Sequence, residues 1–124
     1  MFRFFFRRKP RRAPVTPEVE RMRAQAKAEL PPRLAALAAQ HGFQYKRVFI
    51  KNNRSNWGSC SSLGNINLNL RLVSLPQELQ DYVMLHELCH LRYMNHGAEF
   101  HALLASLCPN YKALRKQLKE YKLI

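Results

Sequence analysis

Hydrophobic and polar positions change their rhythm twice along the chain. Thr16-Pro17-Glu18-Val19-Glu20 has the marks of a helix start: a capping hydroxyl, proline at the first position and acids in the first turn. This helix is expected to run to about Leu30, where Pro31-Pro32 interrupts it. A second helix resumes at Arg33, presents Leu34, Leu37 and several alanines on one face, and stops at Gly42. From Phe43 the rhythm becomes β-like. Tyr45-Lys46-Arg47-Val48-Phe49-Ile50-Lys51 is rich in β-branched and aromatic residues and is followed by a polar turn, Asn52 to Asn56. After Trp57-Gly58-Ser59-Cys60-Ser61-Ser62, the run Asn65-Ile66-Asn67-Leu68-Asn69-Leu70-Arg71-Leu72 alternates strictly, as a strand with one buried face does. Short turns link these segments, so two or three antiparallel strands are expected. The helical rhythm then returns. One helix opens around Ser74-Leu75-Pro76, includes the apolar run Val83 to Leu91 and continues to about Tyr93. Another spans Ala98 to Cys108, and a last one after Pro109 carries the stripe Tyr111, Leu114, Leu118 and Tyr121, which reads as packing.

A chain of 124 residues with 47% hydrophobic content makes one domain with a real core. No run approaches the roughly 20 apolar residues of a membrane span. The patch Phe4-Phe5-Phe6 is too short for a secretory leader, so a cytoplasmic location is expected. Cys60, Cys89 and Cys108 show no C-x-x-C spacing and are expected to be reduced, with Cys89 a small buried hydrophobe. The formal net charge of +13 is unevenly distributed. Arg3, Arg7, Arg8, Lys9, Arg11 and Arg12 lie in an acid-free start; Lys46, Arg47, Lys51 and Arg54 form a second group, and Lys112, Arg115, Lys116, Lys119 and Lys122 a third. Such a field attracts polyanions, nucleic acid among them. Residues 1–14 lack any burial pattern and are expected to be a mobile arm, leaving 15–124 as the folded domain.

The chemistry concentrates in His86-Glu87-Leu88-Cys89-His90, an H-E-x-x-H string inside the buried helical run. Residues four apart project from one helical face, so His86 and His90 can share a metal ion. Glu87 follows one step round and can serve a water at that ion as general acid and base. Catalytic zinc takes three protein ligands and keeps a position open, which calls for a third donor. His96, six residues after His90, is the best candidate; Glu99 and His101 are weaker substitutes. Six further residues of helix would rotate His96 by about 600° relative to His90, onto another face, so the helix must end first. Asn95 and Gly97 most readily take left-handed angles and are expected to build that turn; Tyr93 stands where many such proteases have glycine. Tyr93, Arg54 and His101 are chemically suited to stabilise an oxyanion.

These residues, taken in series, resemble the YgjP-like metallopeptidase family of small bacterial zincins, related to SprT-like and WLM proteins. The carriers are Arg54-x-x-Trp57-Gly58-Ser59-Cys60-Ser61, Gly64-Asn65-Ile66-Asn67-Leu68-Asn69, Asp81-Tyr82-Val83 leading into His86-Glu87-Leu88-Cys89-His90, and Asn95-His96-Gly97-x-x-Phe100, spread over more than half the chain. The resemblance implies an α+β zincin-like fold, a small antiparallel sheet packed against the active-site helix with additional N- and C-terminal helices. It implies Zn²⁺ held by His86, His90 and His96, with Glu87 as catalytic acid/base. The expected activity is peptide-bond hydrolysis on a protein or peptide substrate, with an exposed strand edge near the metal to hold it. Two other functions fit the same residues: a nucleic-acid-associated protein with structural zinc, which the basic surface would suit, and a zinc hydrolase of small amides.

Overall fold

A computed structural model describes residues 13–123. Their elements are α1 (Pro17–His41), β1 (Arg47–Lys51), β2 (Gly58–Cys60), β3 (Asn65–Asn69), a 3-10 helix (Leu70–Ser74), α2 (Gln77–Cys89), α3 (Ala98–Leu107) and α4 (Tyr111–Leu118). The architecture is α+β, with helices gathered on one face of a three-stranded sheet. Among the described residues, no helix is long and apolar enough to cross a membrane. The expected mobile arm lies, for residues 1–12, outside the described residues; Ala13 is buried and exchanges hydrogen bonds with Asn52.

α1 begins as its sequence indicates, with the Thr16 hydroxyl accepting from the Val19 amide at 3.1 Å. It does not break at Pro31-Pro32 but continues to His41. Two observations explain this. Ala26, Leu30, Leu34 and Ala38, each four residues from the next, are all buried, so the stripe needs one uninterrupted helix across the prolines. The carbonyls that lose their donors belong to Lys27 and Ala28, both exposed, where water can replace the missing amides. Burying Leu30 and Leu34 contributes roughly 3–6 kcal/mol, which offsets the helix-interior proline cost.

The sheet is mixed, not antiparallel throughout. Its order is β1-β3-β2; β2 pairs antiparallel with β3, whereas β1 and β3 are parallel with Arg47 beside Asn65 and Lys51 beside Asn69. The tight turn at Ser61–Gly64 forces β2 and β3 to be antiparallel, and Gly64 supplies its left-handed residue at φ 90°. The preceding loop reverses the chain once more and carries it past the third strand's place. β1 therefore meets β3 rather than its neighbour in sequence, and two reversals leave the pair parallel.

β3 is also shorter than its alternation suggests. At Asn69 the chain turns into the 3-10 helix because the Asn69 side chain caps it, accepting from the Arg71 amide at 2.9 Å. Nδ2 of Asn69 donates to the carbonyls of Asn53 and Asn56 at 2.8 Å each, and the Arg71 guanidinium donates to Asn52 Oδ1 at 2.9 Å. This polar knot fixes the loop that leads into β2. α2 lies at the centre of the helical layer, and from Leu79 to Cys89 only Asp81 escapes full burial. Asp81 instead receives both Arg33 Nε and Nη2 at 2.7 Å, tying α2 to α1.

Candidate metal centre

His86 sits in the last turn of α2 and His90 is its C-terminal cap. The helix ends at Cys89, four residues earlier than the apolar run suggests. Its last turns tighten into i→i+3 bonds, His90 N to Glu87 O, Leu91 N to Leu88 O and Arg92 N to Cys89 O, all near 3.0 Å. The expected left-handed turn at Asn95 and Gly97 does not occur: Gly97 has φ −85°, and among the described residues only Gly42 and Gly64 have positive φ. Tightening at His90–Tyr93 does the work assigned to those residues, so Tyr93 can stand where a glycine was anticipated.

That turn also orients a ring. His90 Nδ1 donates to the Tyr93 carbonyl at 2.9 Å, which fixes the tautomer and leaves Nε2 as the acceptor nitrogen. Nε2 of His90 faces Nε2 of His96 at 3.0 Å. With one donor atom from His86, the three nitrogens lie within 4.8 Å of one another. A tetrahedral zinc with bonds of about 2.0–2.1 Å needs donors roughly 3.4 Å apart, so the spacing fits one ion. The donor chemistry fits as well: three imidazoles, two of them buried, converge on one point.

Phe100, 1% exposed, is the wall of this cluster. Its ring stacks on His90 at 4.4 Å between centroids and meets His86 and His96 at 5.0 and 4.9 Å. One aromatic side chain from α3 thus limits the motion of all three imidazoles. In the sequence Phe100 stands out only as part of the Asn95-His96-Gly97-x-x-Phe100 string, with nothing to show that it touches all three histidines.

Glu87 is fully buried, with Oε2 3.6 Å from His86 Nδ1. Its stem lies against β2: a Cβ at Gly58 would come within 3.2 Å of Glu87 Cγ, 3.2 Å of the Asn67 carbonyl and 3.3 Å of Val83 Cγ1. Gly58 is therefore the residue that lets the sheet approach the helix at the carboxylate, a role hidden in the Trp57-Gly58-Ser59 string. The other residues singled out from the sequence stand apart. His101 stacks on Tyr111 with its ring 6.2 Å from that of His96, and Glu99 is exposed; neither joins the three-nitrogen cluster. Burial pushes the Cys89 thiol up to about 12, so it stays a neutral hydrophobe. Arg54 is exposed in the loop before β2. Tyr93 lines an open cleft of about 430 Å³ beside the cluster, together with Met94, Asn95, Gly97 and Phe100.

A histidine pair on a central helix, a third histidine from the turn beyond it and a small sheet against the helix make a candidate three-histidine metal site on an α+β fold. The fold is similar to the crystal structure of the metallopeptidase zymogen of Pyrococcus abyssi abylysin, with a TM-score of 0.63, 21% identity, and coverage of 73% of this chain and 95% of that one. Residues 16–121 match the family model described as YgjP-like, metallopeptidase domain, and the chain belongs to that family. No curated protein sequence matches it significantly. The protein is accordingly a hydrolase.

Proposed function

We propose that the protein is a zinc-dependent peptidase in which His86, His90 and His96 hold the metal and Glu87 is the general acid/base. The observation that carries this reading is the convergence of three imidazole nitrogens within 4.8 Å, next to a buried carboxylate on the same helix. When bound, zinc supplies Lewis acidity, polarising the scissile carbonyl and acidifying water. Glu87 accepts a proton from the attacking water and delivers it to the leaving amine nitrogen. Gly58 and Val83 flank its stem and hold the carboxylate in place for that exchange. The Tyr93 carbonyl keeps His90 in the tautomer that presents Nε2, and Phe100 excludes water from behind the cluster.

Substrate is held as an added strand. In the order β1-β3-β2, β2 is the edge next to α2, and its outer rim offers main-chain groups to an extended peptide. The cleft along Tyr93–Phe100 receives a neighbouring side chain. Buried thiols at Cys89 and Cys108 suit a reducing, cytoplasmic setting. Glu87→Gln should retain one zinc per chain and lose peptide cleavage by about 10²–10⁴-fold in a peptide-library assay. Cleavage at the wild-type rate would reject the mechanism.

A further inference from the structure

One face of the sheet is turned away from the helices. Along β1, Arg47, Phe49 and Lys51 are exposed while Val48 and Ile50 pack inward. The register sets Asn65 beside Arg47, Asn67 beside Phe49, and Ser59 beside Asn67. Residues in register share a face, so these six side chains form one surface. On the inner face of the same strands, Gly58 meets Glu87, so this surface and the metal cluster lie on opposite sides of the sheet.

Three features of the surface point the same way. Phe49 is 38% exposed, and its ring carries Lys51 Nζ at 5.2 Å. No Asp or Glu occurs between Glu29 and Glu78, a span that contains the whole sheet and Arg33, Lys46, Arg47, Lys51, Arg54 and Arg71. The crowding of positive charge is felt inside: Arg71's pKa is lowered, first by burial and then by the like charge of Arg54. Finally, Ala13 is hydrogen-bonded to Asn52, one residue beyond Lys51, and the sequence before it holds six basic residues and no acid.

We propose that this face binds single-stranded nucleic acid, with a base stacked on Phe49 and the adjoining phosphates held by Arg47 and Lys51. Arg47 and Lys51 flank Phe49 two residues away on the same face, and Lys51 Nζ already lies over the ring at 5.2 Å, so cations border the place where a base would stack. A part-exposed aromatic ring whose covering lysine can swing onto a phosphate offers stacking to any unpaired base, whereas a duplex keeps its base faces covered. An acidic peptide would meet the charge and leave the ring unused. Asn67 donates through Nδ2 to Ser59 Oγ at 3.1 Å, which leaves its amide oxygen as an acceptor for a base edge. This binding is independent of the peptidase reading, because it uses none of the residues of the metal cluster.

Fluorescence anisotropy of labelled oligothymidylate and oligouridylate with the full chain tests it. Phe49→Leu should weaken binding about tenfold or more, and Phe49→Trp should preserve it. Lys51→Glu should weaken binding and flatten its dependence on salt, whereas Lys116→Glu, the same charge change on α4, should do clearly less. Absence of binding by the wild type would overturn the proposal. So would a Leu variant that binds like the wild type, equal losses for Lys51→Glu and Lys116→Glu, or a duplex or polyglutamate that competes as well as the single strand.

Discussion

Two buried polar clusters, built from different materials, stand at opposite ends of the central packing. At the end of β3, Asn52, Asn69 and Arg71 exchange donors and acceptors with one another and with the carbonyls of Asn53 and Asn56. At the end of α2, His90 and His96 bring two ring nitrogens face to face at 3.0 Å, with His86 adjoining. The first cluster pairs donor with acceptor and asks for nothing from outside. The second aims acceptors at a common point, which requires a proton or a cation there. Polarity in a core marks a functional site when its donor atoms converge on one point, and a scaffold when donors and acceptors answer each other. The β3 knot nonetheless serves the site at a distance, because it positions the loop that delivers Gly58 against Glu87.

This contrast predicts separable losses. The largest is expected at Asn69→Ala, which strips partners from the buried loop carbonyls and uncaps the 3-10 helix; stability should fall by about 2–4 kcal/mol in urea unfolding, with zinc affinity little changed. A matching loss of zinc affinity would show that the two clusters are not independent. Gly58→Ala acts where the regions meet. Its methyl group would push on Glu87 and on the Asn67 carbonyl, costing about 1–3 kcal/mol and lowering peptide turnover more than zinc binding. Arg33→Ala removes a bidentate but partly exposed bridge to Asp81 and should cost about 1 kcal/mol or less, leaving both clusters intact.

The three histidines that the structure brings together were legible in the sequence because their spacing is local: an i, i+4 pair at the end of a helix and a third six residues further on. Helix starts and the inward face of β3 were legible for the same reason. What escaped depends on contacts between distant segments. Pro31-Pro32 breaks a helix unless a buried stripe spans it and the orphaned carbonyls face water, and the two conditions are tertiary. The parallel β1–β3 pair follows from where the 52–57 loop crosses, and that is set by Asn69 and Arg71 rather than by any turn signal. Asn69 itself looked like one more polar position in an alternating strand, though asparagine's capping habit was a clue. Gly97 was credited with a left-handed turn on residue type alone, while the backbone turned earlier through ordinary angles.

The central claim is that one ion is shared by three imidazoles, the last of them beyond the helix. Competition with a chromophoric zinc chelator, run on the wild type and on His96→Ala, measures this directly. The account predicts one zinc per wild-type chain and an affinity at least about 100-fold weaker in the variant. Equal affinities, or a wild type that holds no zinc, would contradict it.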